Sequence, residues 1–313
     1  MDRKEFGINL PQFHPDDSRQ LLSVGDFAEK AESLGFDSVW TLDRVFHGLP
    51  FLEPLSMLAY VASRTRKIKL GTAVLMTPLR MPSILSKTAA TIDFLSGGRL
   101  ILGIALGGQA DEYAASGTPM NERVARFVEG IKIMKMLWKE DNVTFQGRFW
   151  KLNNVSIHPK PAQRGGIPLW MGGSQVGSSV KESVVKRAAR HGDGWLGAGS
   201  STLNAFEDAY RKFVHFAKEF GREPSSLTGA KRVYVHVDSD AERARKILDS
   251  TLSAFYGKPF DVEELCVYGN ESSCSQQLAR YIEAGAGTII LHPVADQLHQ
   301  AEVLAKDVMP GLR

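Results

Sequence analysis

The sequence lacks the features that mark membrane and secreted proteins. No apolar run approaches the roughly 20 residues that a helix needs to cross a bilayer. The first five residues lead straight into a strand-like segment, residues 6–10, with no apolar signal core before it. We therefore expect a cytoplasmic protein that does not act at a membrane.

Cysteine is scarce: Cys266 and Cys274 are the two in the 313 residues. They lie close together in a late segment, where a disulfide or a metal pair is conceivable. No set of histidine or acidic residues surrounds them at metal-ligand spacing, and a reducing compartment keeps such thiols free. The sequence therefore predicts two ordinary thiols and no bound metal.

An excess of charge of one sign is also missing. The formal net charge is +3, and no cluster of Lys and Arg alternates with aromatic residues, so we expect no nucleic-acid partner. The sequence contains none of the motifs of zinc proteases, P-loop proteins or serine hydrolases. A chain so poor in nucleophiles favours a cofactor that brings its own reactivity, with a small molecule as the substrate.

Short apolar runs alternate with amphipathic helical stretches along the chain. Most of the runs lack a polar residue at every second place, which is typical of strands buried on both faces of a parallel sheet. The predicted strands are residues 6–10, 38–42, 68–75, 100–106, 168–171, 195–198, 232–237 and 288–292.

Eight strand-and-helix units of this kind predict an α/β fold, and eight strands can close into a (β/α)8 TIM barrel. A doubly wound open sheet is the alternative, but no clear glycine-rich dinucleotide fingerprint follows the first strand. We therefore predict the barrel, as a single domain over residues 1–313.

Two spacings between predicted strands are too wide for a bare strand-and-helix unit. One insertion follows the fourth helix, over residues 140–166, and the other, over residues 253–270, precedes the eighth strand. The first contains residues 143–150, two short apolar pieces around a Gln-Gly turn, which predicts a small hairpin. Insertions of this kind either cover a barrel's site or decorate its surface.

Barrel enzymes carry their function at the carboxyl ends of the strands, so the residues that follow each run are the candidates. Asp43 follows the second strand as a proton donor or hydrogen-bond acceptor, and Arg44 beside it would keep the carboxylate ionised. The alternative for Asp43 is a structural ion pair. Because histidine titrates near neutrality, His14, His47 and His292 are acid–base candidates, each with a structural role as the alternative.

A stretch of glycine and serine follows the fifth strand. Gly172 and Gly173 would let backbone amides approach an anion, and Ser174 and Ser178 add hydroxyl donors near the start of the next helix. The spacing leaves both phosphate binding and an ordinary strand-to-helix turn open. Gly107, after the fourth strand, evokes a nucleotide-binding loop without its sequence context, and packing is the simpler explanation.

Several motifs together resemble one family. Residues 68–82, a strand with a Pro-bounded loop, and residues 95–103, with a Leu-Ser-Gly-Gly-Arg turn, look like the bacterial luciferase-like flavin monooxygenases. Further similarity runs through residues 36–40 with Asp43, 117–119 with Arg123, 158–161, 168–173, 188–195 and 282–293 with Pro310. The resemblance covers nearly the whole chain.

This resemblance implies a barrel that binds coenzyme F420, a deazaflavin, or FMN at its mouth. It implies a non-proline cis peptide near residues 73–75. Asp43 matches the family's acidic position, whereas Arg44 stands where the luciferase-type histidine is expected. The cofactor-binding residues that it implies are Thr72, Ala73, Val74 and Gly107, with a phosphate-binding turn at Gly172, Gly173, Ser174 and Ser178.

The leading hypothesis is hydride transfer between F420, the preferred cofactor, and a small organic substrate, with Asp43, His14 and Arg44 as catalytic candidates. One alternative is an FMN-dependent two-component monooxygenase that uses reduced flavin and O2. Another is a cofactor-binding barrel without catalysis. The resemblance also implies a homodimer and a flavin or F420 reductase as the source of reducing equivalents.

Overall fold

The predicted alternation of strands and helices is present in the computed structural model, which describes residues 3–12, 21–46, 50–173 and 179–313. Its strands are β1 (Glu5–Asn9), β2 (Ser38–Thr41), β3 (Lys69–Met76), β4 (Leu100–Ala105), β5 (Val143–Gln146), β6 (Lys151–Val155), β7 (Leu169–Gly173), β8 (Gly194–Gly197), β9 (Thr228–Val237), β10 (Cys266–Gly269) and β11 (Thr288–Pro293). Its helices are α1 (Leu21–Ser33), α2 (Pro54–Arg64), α3 (Pro82–Ser96), α4 (Ala110–Ala115), α5 (Arg123–Lys139), α6 (Glu182–His191), α7 (Leu203–Glu219), α8 (Ala241–Tyr256), α9 (Val262–Leu265), α10 (Glu271–Glu283) and α11 (Gln297–Val303).

The main sheet closes on itself. Its strand order is β10-β9-β11-β1-β2-β3-β4-β7-β8, and β9 also pairs with β8. This last pairing joins eight strands, β1 to β4, β7 to β9 and β11, into a parallel ring. The predicted (β/α)8 TIM barrel is therefore confirmed. Because a barrel strand is covered on both faces, β2 and β8 are buried at every residue, and neither contains a charged side chain.

The chain divides into two compact units. Unit 1 comprises Met1–Pro11, Asp26–Trp40 and Trp170–Arg313, and unit 2 comprises Gln12–Gly25 and Thr41–Leu169. The single domain expected over residues 1–313 stays a prediction.

Large aromatic side chains pack inside unit 1. The indoles of Trp40 and Trp170 are buried and stack with their ring centroids 5.2 Å apart. The Trp40 indole N–H donates to Ser38 Oγ at 2.8 Å. A Cβ at Gly7 would lie 2.3 Å from Trp40 Nε1, so the glycine in β1 leaves room for this ring.

The Leu-Ser-Gly-Gly-Arg turn of unit 2 has a clear structural task. Gly97 and Gly98 take left-handed conformations, with φ of 71° and 86°, and end α3. The guanidinium of Arg99 then donates to the carbonyl oxygens of Ala62 at 3.0 Å and Ile68 at 2.7 Å. The turn therefore ties the end of α2 to the start of β3 and β4.

The insertion after the fourth barrel helix forms the predicted hairpin, with a shifted turn. Strands β5 and β6 pair antiparallel, but Phe149 and Trp150 lie in the turn instead of in the second strand. The carboxylate of Glu129 on α5 accepts hydrogen bonds of 3.0 Å from the backbone N–H groups of Arg148, Phe149 and Trp150. These three backbone N–H groups therefore bond to a side chain on α5, so they are not available to lengthen strand β6.

The insertion before the eighth barrel strand contains α9 and β10. Strand β10 pairs in parallel with the carboxyl half of β9, Cys266 opposite Tyr234 and Gly269 opposite Val237. The short apolar run of β10 did not predict a strand on its own. Strand β9 also begins earlier than predicted, at Thr228, because Gly229 and Lys231 interrupt its apolar pattern.

Candidate functional site

Asp43 lies directly after β2, in unit 2, and its side chain is fully buried. Its Oδ2 accepts hydrogen bonds from the Met76 backbone N–H at 2.8 Å and from Arg80 Nη1 at 2.6 Å. Its Oδ1 accepts a third from Arg80 Nη2 at 3.0 Å. Both oxygens therefore act as acceptors in a two-pronged pair with a guanidinium, the arrangement of an ionised carboxylate.

The partner of Asp43 in this pair is Arg80, which the sequence analysis missed. Arg80 follows the short turn Thr77–Leu79 after β3, and its Nη2 also contacts Glu53 Oε1 at 3.3 Å. Burial disfavours the charge of Arg80, but its bonds to Asp43 outweigh this effect and raise its pKa. The sequence feature that could have identified Arg80 is its position as a lone arginine in an otherwise apolar loop bounded by prolines.

Strand β3 is irregular at the position that the family resemblance indicated. The Ala73–Val74 peptide is cis, as predicted, and the register against β4 shifts between Thr72 and Leu75. Thr72 Oγ1 donates to the Gly103 carbonyl at 2.8 Å, so this hydroxyl is engaged within the sheet. Ala73 is buried and Val74 is partly exposed. The irregular segment of β3 therefore carries small apolar side chains.

Gly107 follows β4 in a left-handed conformation, with φ of 70°. A Cβ at this position would lie 2.5 Å from Met76 Sδ. Both the backbone conformation and the neighbouring methionine therefore require glycine, whatever binds there. A role of Gly107 in cofactor binding stays a prediction.

A buried carboxyl group on α4, Glu112, was not among the predicted site residues. Its side-chain oxygens have no hydrogen-bond partner of standard geometry among the described residues. Burial raises the pKa of Glu112, and the nearby Arg44 and the backbone N–H groups of Phe46 and Val45 offset only part of this effect. Burial therefore shifts the equilibrium of Glu112 towards its protonated form.

Gly172 and Gly173 end β7 in unit 1. A Cβ on Gly173 would lie 2.7 Å from the Trp195 ring and 2.9 Å from Val184 Cγ1. Packing against these side chains therefore already requires a glycine at 173, independently of any anion. The other predicted residues of this turn, Ser174 and Ser178, lie outside the described residues, as do His14 and His47.

A second group of polar side chains lies on β9 and β11 in unit 1. Arg232 and Tyr234 are buried on β9, and His292 lies on β11 directly opposite Tyr234. Arg232 Nη2 donates to the Tyr234 hydroxyl at 3.1 Å. Of these three residues, the sequence analysis had singled out His292 alone, because a buried arginine inside an apolar strand gives little local signal.

Buried polar atoms without a partner recur at the carboxyl ends of strands within the described ranges. Polar groups left unpaired in a protein interior are rare, and an unfilled ligand or water position is a common explanation. In unit 1 they are Asn9 Oδ1, His236 Nδ1 and His292 Nδ1, with Trp195 Nε1 at a different position in its strand. In unit 2 they are Thr41 Oγ1 and Thr77 Oγ1, with both oxygens of Glu112 on helix α4.

The two cysteines are free, as predicted, and both are buried. Burial raises the pKa of each thiol to about 12, so neither is a thiolate at neutral pH. Within the described ranges, no group of three or more His, Cys, Asp or Glu side chains is placed to hold a metal ion. In that same part of the chain, no helix combines the length and apolar character needed to cross a membrane.

Comparisons with known proteins agree with the fold and the sequence motifs. An F420-dependent glucose-6-phosphate dehydrogenase from Kineococcus radiotolerans is 27% identical over 93% of both chains. An F420-dependent secondary alcohol dehydrogenase, solved with an F420-acetone adduct, has a TM-score of 0.85 and 21% identity over all of both chains. A monooxygenase from Streptomyces bottropensis has a TM-score of 0.86 and 21% identity over 99% of this chain and all of its own.

The two solved structures differ in the chemistry that their names describe, so their likeness to this chain shows the fold alone. The family model is the more specific finding. It is described as luciferase-like monooxygenase and matches residues 4–281. This chain therefore belongs to the luciferase-like monooxygenase family.

Proposed function

We propose that the protein is an F420-dependent oxidoreductase that transfers a hydride between the deazaflavin and a small organic substrate. The relatives support the cofactor, because those of 26–28% identity are named F420-dependent dehydrogenases. The observation that carries a ligand-binding function is the recurrence of unpartnered buried polar atoms at strand carboxyl ends. Barrel enzymes bind their ligands at these ends.

The residues present fit such a cofactor. At its irregular segment β3 carries the small side chains of Ala73 and Val74, which leave room for a flat ring to approach the strand. The Asp43–Arg80 pair holds the end of the same strand through the Met76 amide. We assign Asp43 as a positioning residue. Gly172 and Gly173 remain the proposed start of a phosphate-binding turn.

The deazaflavin would supply the carbon that donates or accepts the hydride. A carbonyl oxygen that becomes a hydroxyl also needs a proton. Arg44 cannot give one, since a guanidinium stays protonated in proteins. The Asp43 oxygens accept three hydrogen bonds and carry no proton to transfer. We propose Glu112, whose burial favours the protonated form, as the proton donor.

Cofactor choice is the first test. We expect the purified protein to quench the fluorescence of F420 on titration and to bind it at least about tenfold more tightly than FMN, a difference of about 1.4 kcal/mol. Under anaerobic conditions, reduced F420 should then be oxidised when a suitable carbonyl compound is added. Absorbance of the deazaflavin follows this step directly.

Two outcomes would contradict the proposal. Tight binding of FMN together with substrate-dependent oxygen uptake would establish the two-component monooxygenase instead. Binding of F420 without turnover across a broad panel of aldehydes, ketones and alcohols would favour the non-catalytic barrel. The reductase partner, the homodimer and the cytoplasmic location stay predictions.

The Glu112→Gln variant tests the proton donor. Since general acid catalysis is worth about 100-fold or more, we expect hydride transfer to carbonyl substrates to slow by about 100-fold. Affinity for F420 should not change, because the variant keeps the shape of the side chain. The matched control is Glu263→Gln, an exposed residue on α9, which should leave both quantities unchanged. An unchanged rate in Glu112→Gln would remove Glu112 from the mechanism.

The same variant has a second readout in the pH dependence of stability. A carboxyl group whose folded pKa is raised stabilises the protein below its unfolded pKa, near 4.5, and that stabilisation is lost as the pH rises through the folded value. Relative to the wild type, Glu112→Gln should therefore gain stability as the pH rises above about 4.5. Urea denaturation at a series of pH values measures this difference without any substrate.

A further inference from the structure

Two polar side chains of unit 1 are neighbours at the carboxyl ends of β1 and β11. Ile8 pairs with Leu291 in the parallel ladder of these strands, and Asn9 and His292 are the residues that follow them. Neighbouring strands lie about 4.8 Å apart, and residues side by side in a parallel ladder point to the same face. We call Asn9 and His292 the β1–β11 pair.

The β1–β11 pair faces the interior of the ring of strands. Asn9 is opposite Trp40 in the ladder of β1 and β2, so these two side chains share a face. The Trp40 ring stacks on Trp170 of β7, and two strands separate β2 from β7 in the sheet order. Rings on strands so far apart meet across the interior of a barrel. The ring of Tyr234 packs against that of His292, with centroids 5.0 Å apart, and orients it.

Each member of the β1–β11 pair has a polar atom without a partner. Asn9 is 1% exposed, and its Oδ1 is buried and has no hydrogen-bond partner among the described residues. The same is true of His292 Nδ1, although the residue as a whole is partly exposed. The two atoms do not bond each other, so each of them needs a partner. Adjacent unpaired polar atoms in an interior are costly, and one missing ligand group accounts for both.

Both members of the β1–β11 pair are uncharged. Burial lowers the pKa of His292 well below its ordinary value, and the positive charge of Arg232 adds to this effect. The imidazole is therefore neutral, with one proton on one of its two nitrogens. A carboxylate, phosphate or ammonium group would bring a charge that neither Asn9 nor His292 neutralises, and burying such a charge is costly. The pair therefore suits a neutral group.

Among neutral groups, a hydroxyl satisfies both atoms. Asn9 Oδ1 can only accept, so the ligand group must donate to it. The lone pairs of that oxygen favour the tautomer of His292 with its proton on Nδ1, so the same ligand group must also accept. A hydroxyl does both. A ketone or ether oxygen only accepts and would leave Asn9 Oδ1 unpaired.

We propose that the β1–β11 pair binds a hydroxyl group of the substrate that does not itself react, so that the substrates are uncharged hydroxy ketones and the corresponding diols. The reacting oxygen changes between carbonyl and hydroxyl, and at this pair it would lose a hydrogen bond in the carbonyl form. A hydroxyl that does not react keeps both bonds on either side of the reaction. An amide oxygen and a neutral imidazole are also poor sources of the proton that the reacting oxygen needs.

This inference rests on the proposed function for the reaction itself. A hydroxy ketone would take a hydride at its carbonyl carbon from reduced deazaflavin and a proton at its carbonyl oxygen. The products are a diol and oxidised deazaflavin. The second hydroxyl is unchanged throughout, and Asn9 and His292 act on it as positioning residues.

The first test compares small ligands on the full-length protein without cofactor. Hydroxyacetone carries the proposed hydroxyl, whereas methoxyacetone keeps that oxygen as an acceptor but cannot donate. We expect hydroxyacetone to bind at least about tenfold more tightly, because the ether leaves a buried acceptor unpaired. The diol 1,2-propanediol should bind as hydroxyacetone does, and the charged ketone pyruvate should bind more weakly. With histidine labelled in 15N, the imidazole resonances of His292, identified by their loss in His292→Leu, report saturable binding.

The Asn9→Leu variant removes the acceptor at nearly constant size. It should bind hydroxyacetone and methoxyacetone with about equal affinity, because neither oxygen then has Oδ1 as a partner. A variant that is merely destabilised would bind both ketones more weakly and keep their ratio. The matched control is Asn153→Leu, at an exposed residue of β6, which should preserve the wild-type ratio.

Because Asn9 is buried, its replacement can impair folding, and His292 variants provide a second series. His292→Asn keeps a donor near the position of Nδ1 and should retain part of the preference for hydroxyacetone, whereas His292→Leu should lose it. The ligand comparison on the wild-type protein needs no variant. Thermal unfolding with and without hydroxyacetone reports the same binding independently of NMR.

Kinetics with F420 bound distinguish a hydroxyl that does not react from the reacting oxygen. A group bound equally in the ground state and the transition state affects KM and leaves kcat unchanged. Methoxyacetone should therefore have a higher KM than hydroxyacetone at a similar kcat. A lower kcat at an unchanged KM would place the reacting oxygen at the β1–β11 pair and overturn the inference.

The inference also fails if hydroxyacetone and methoxyacetone bind the wild type equally, if Asn9→Leu keeps their ratio, or if neither hydroxyacetone nor 1,2-propanediol shifts His292. Tighter binding of pyruvate than of hydroxyacetone would contradict it too. Fluorescence titration with F420 is a separate measurement. Normal F420 binding without a preference for hydroxyacetone would overturn this inference alone. That preference without F420 binding would overturn the proposed cofactor alone.

Discussion

We expect the Asp43→Asn variant to lose about 3 kcal/mol of unfolding free energy, because it leaves a largely buried guanidinium without its carboxylate. The Asp43 side chain is fully buried and that of Arg80 is 17% exposed, so water cannot replace the lost partner. The oxygen of the variant amide can still accept from Met76 N–H, but its –NH2 group faces Arg80 Nη2, so the variant loses one hydrogen bond as well as the charge. Urea denaturation near neutral pH measures the loss.

Glu53 provides the matched control, because it contacts the same guanidinium from the surface. Its side chain is 46% exposed and its Oε1 lies 3.3 Å from Arg80 Nη2. Glu53→Gln should therefore lose no more than about 1 kcal/mol. Adding Arg80→Met to Asp43→Asn removes the stranded cation and should restore part of the stability. Equal losses in Asp43→Asn and Glu53→Gln would show that the pair does not hold the end of β3.

Lys231→Met should become less favourable relative to the wild type as the pH rises from about 7 to about 10, by about 4 kcal/mol in unfolding free energy. Lys231 is fully buried on β9, and burial lowers its pKa to about 7 from an ordinary 10.5. A lysine with a depressed folded pKa stabilises the protein above its unfolded pKa, and this contribution is lost as the pH falls towards 7. Methionine carries no charge and lacks this dependence.

The presence or absence of this pH dependence distinguishes a neutral from a charged Lys231 in the folded protein. Its Nζ donates to the carbonyl oxygens of Ala198 at 2.6 Å and Arg232 at 2.9 Å, and it lies 5.4 Å from the Tyr281 ring centroid. If these contacts hold the ammonium charged up to pH 10, the difference between variant and wild type will not change with pH. Lys246→Met, at a side chain 71% exposed, is the control for effects of lysine removal at the surface.

The barrel was predictable because its strands carry their own signal. Burial on both faces removes the polar half of a strand pattern, and the resulting apolar runs marked the strands of the ring. Where a strand carries polar residues, the prediction was less accurate. Strand β9 was predicted to begin at Arg232 but begins at Thr228, because Gly229 and Lys231 interrupt its apolar pattern.

Local structure was less predictable where a distant side chain intervenes. The hairpin of β5 and β6 was expected from its apolar pieces and its turn, but Glu129 moves the turn by taking three backbone amides. Strand β10 exists because β9 extends beyond its other partners and offers a free ladder to Cys266–Gly269. Neither effect can be read from the amino-acid sequence of the segment that it changes.

The same distinction between local pattern and tertiary structure applies to the residues of the candidate site. By itself the sequence determined the barrel, the position of Asp43 after β2 and the irregular segment at Ala73–Val74, since each depends on local pattern or on a motif of adjacent residues. Only the tertiary structure decided that Asp43 pairs with Arg80, that the Glu112 carboxyl group is buried, and that Arg232 and His292 lie on one face. Charge pairing and burial depend on distances in space, and the closed ring of strands sets those distances between residues far apart in the chain.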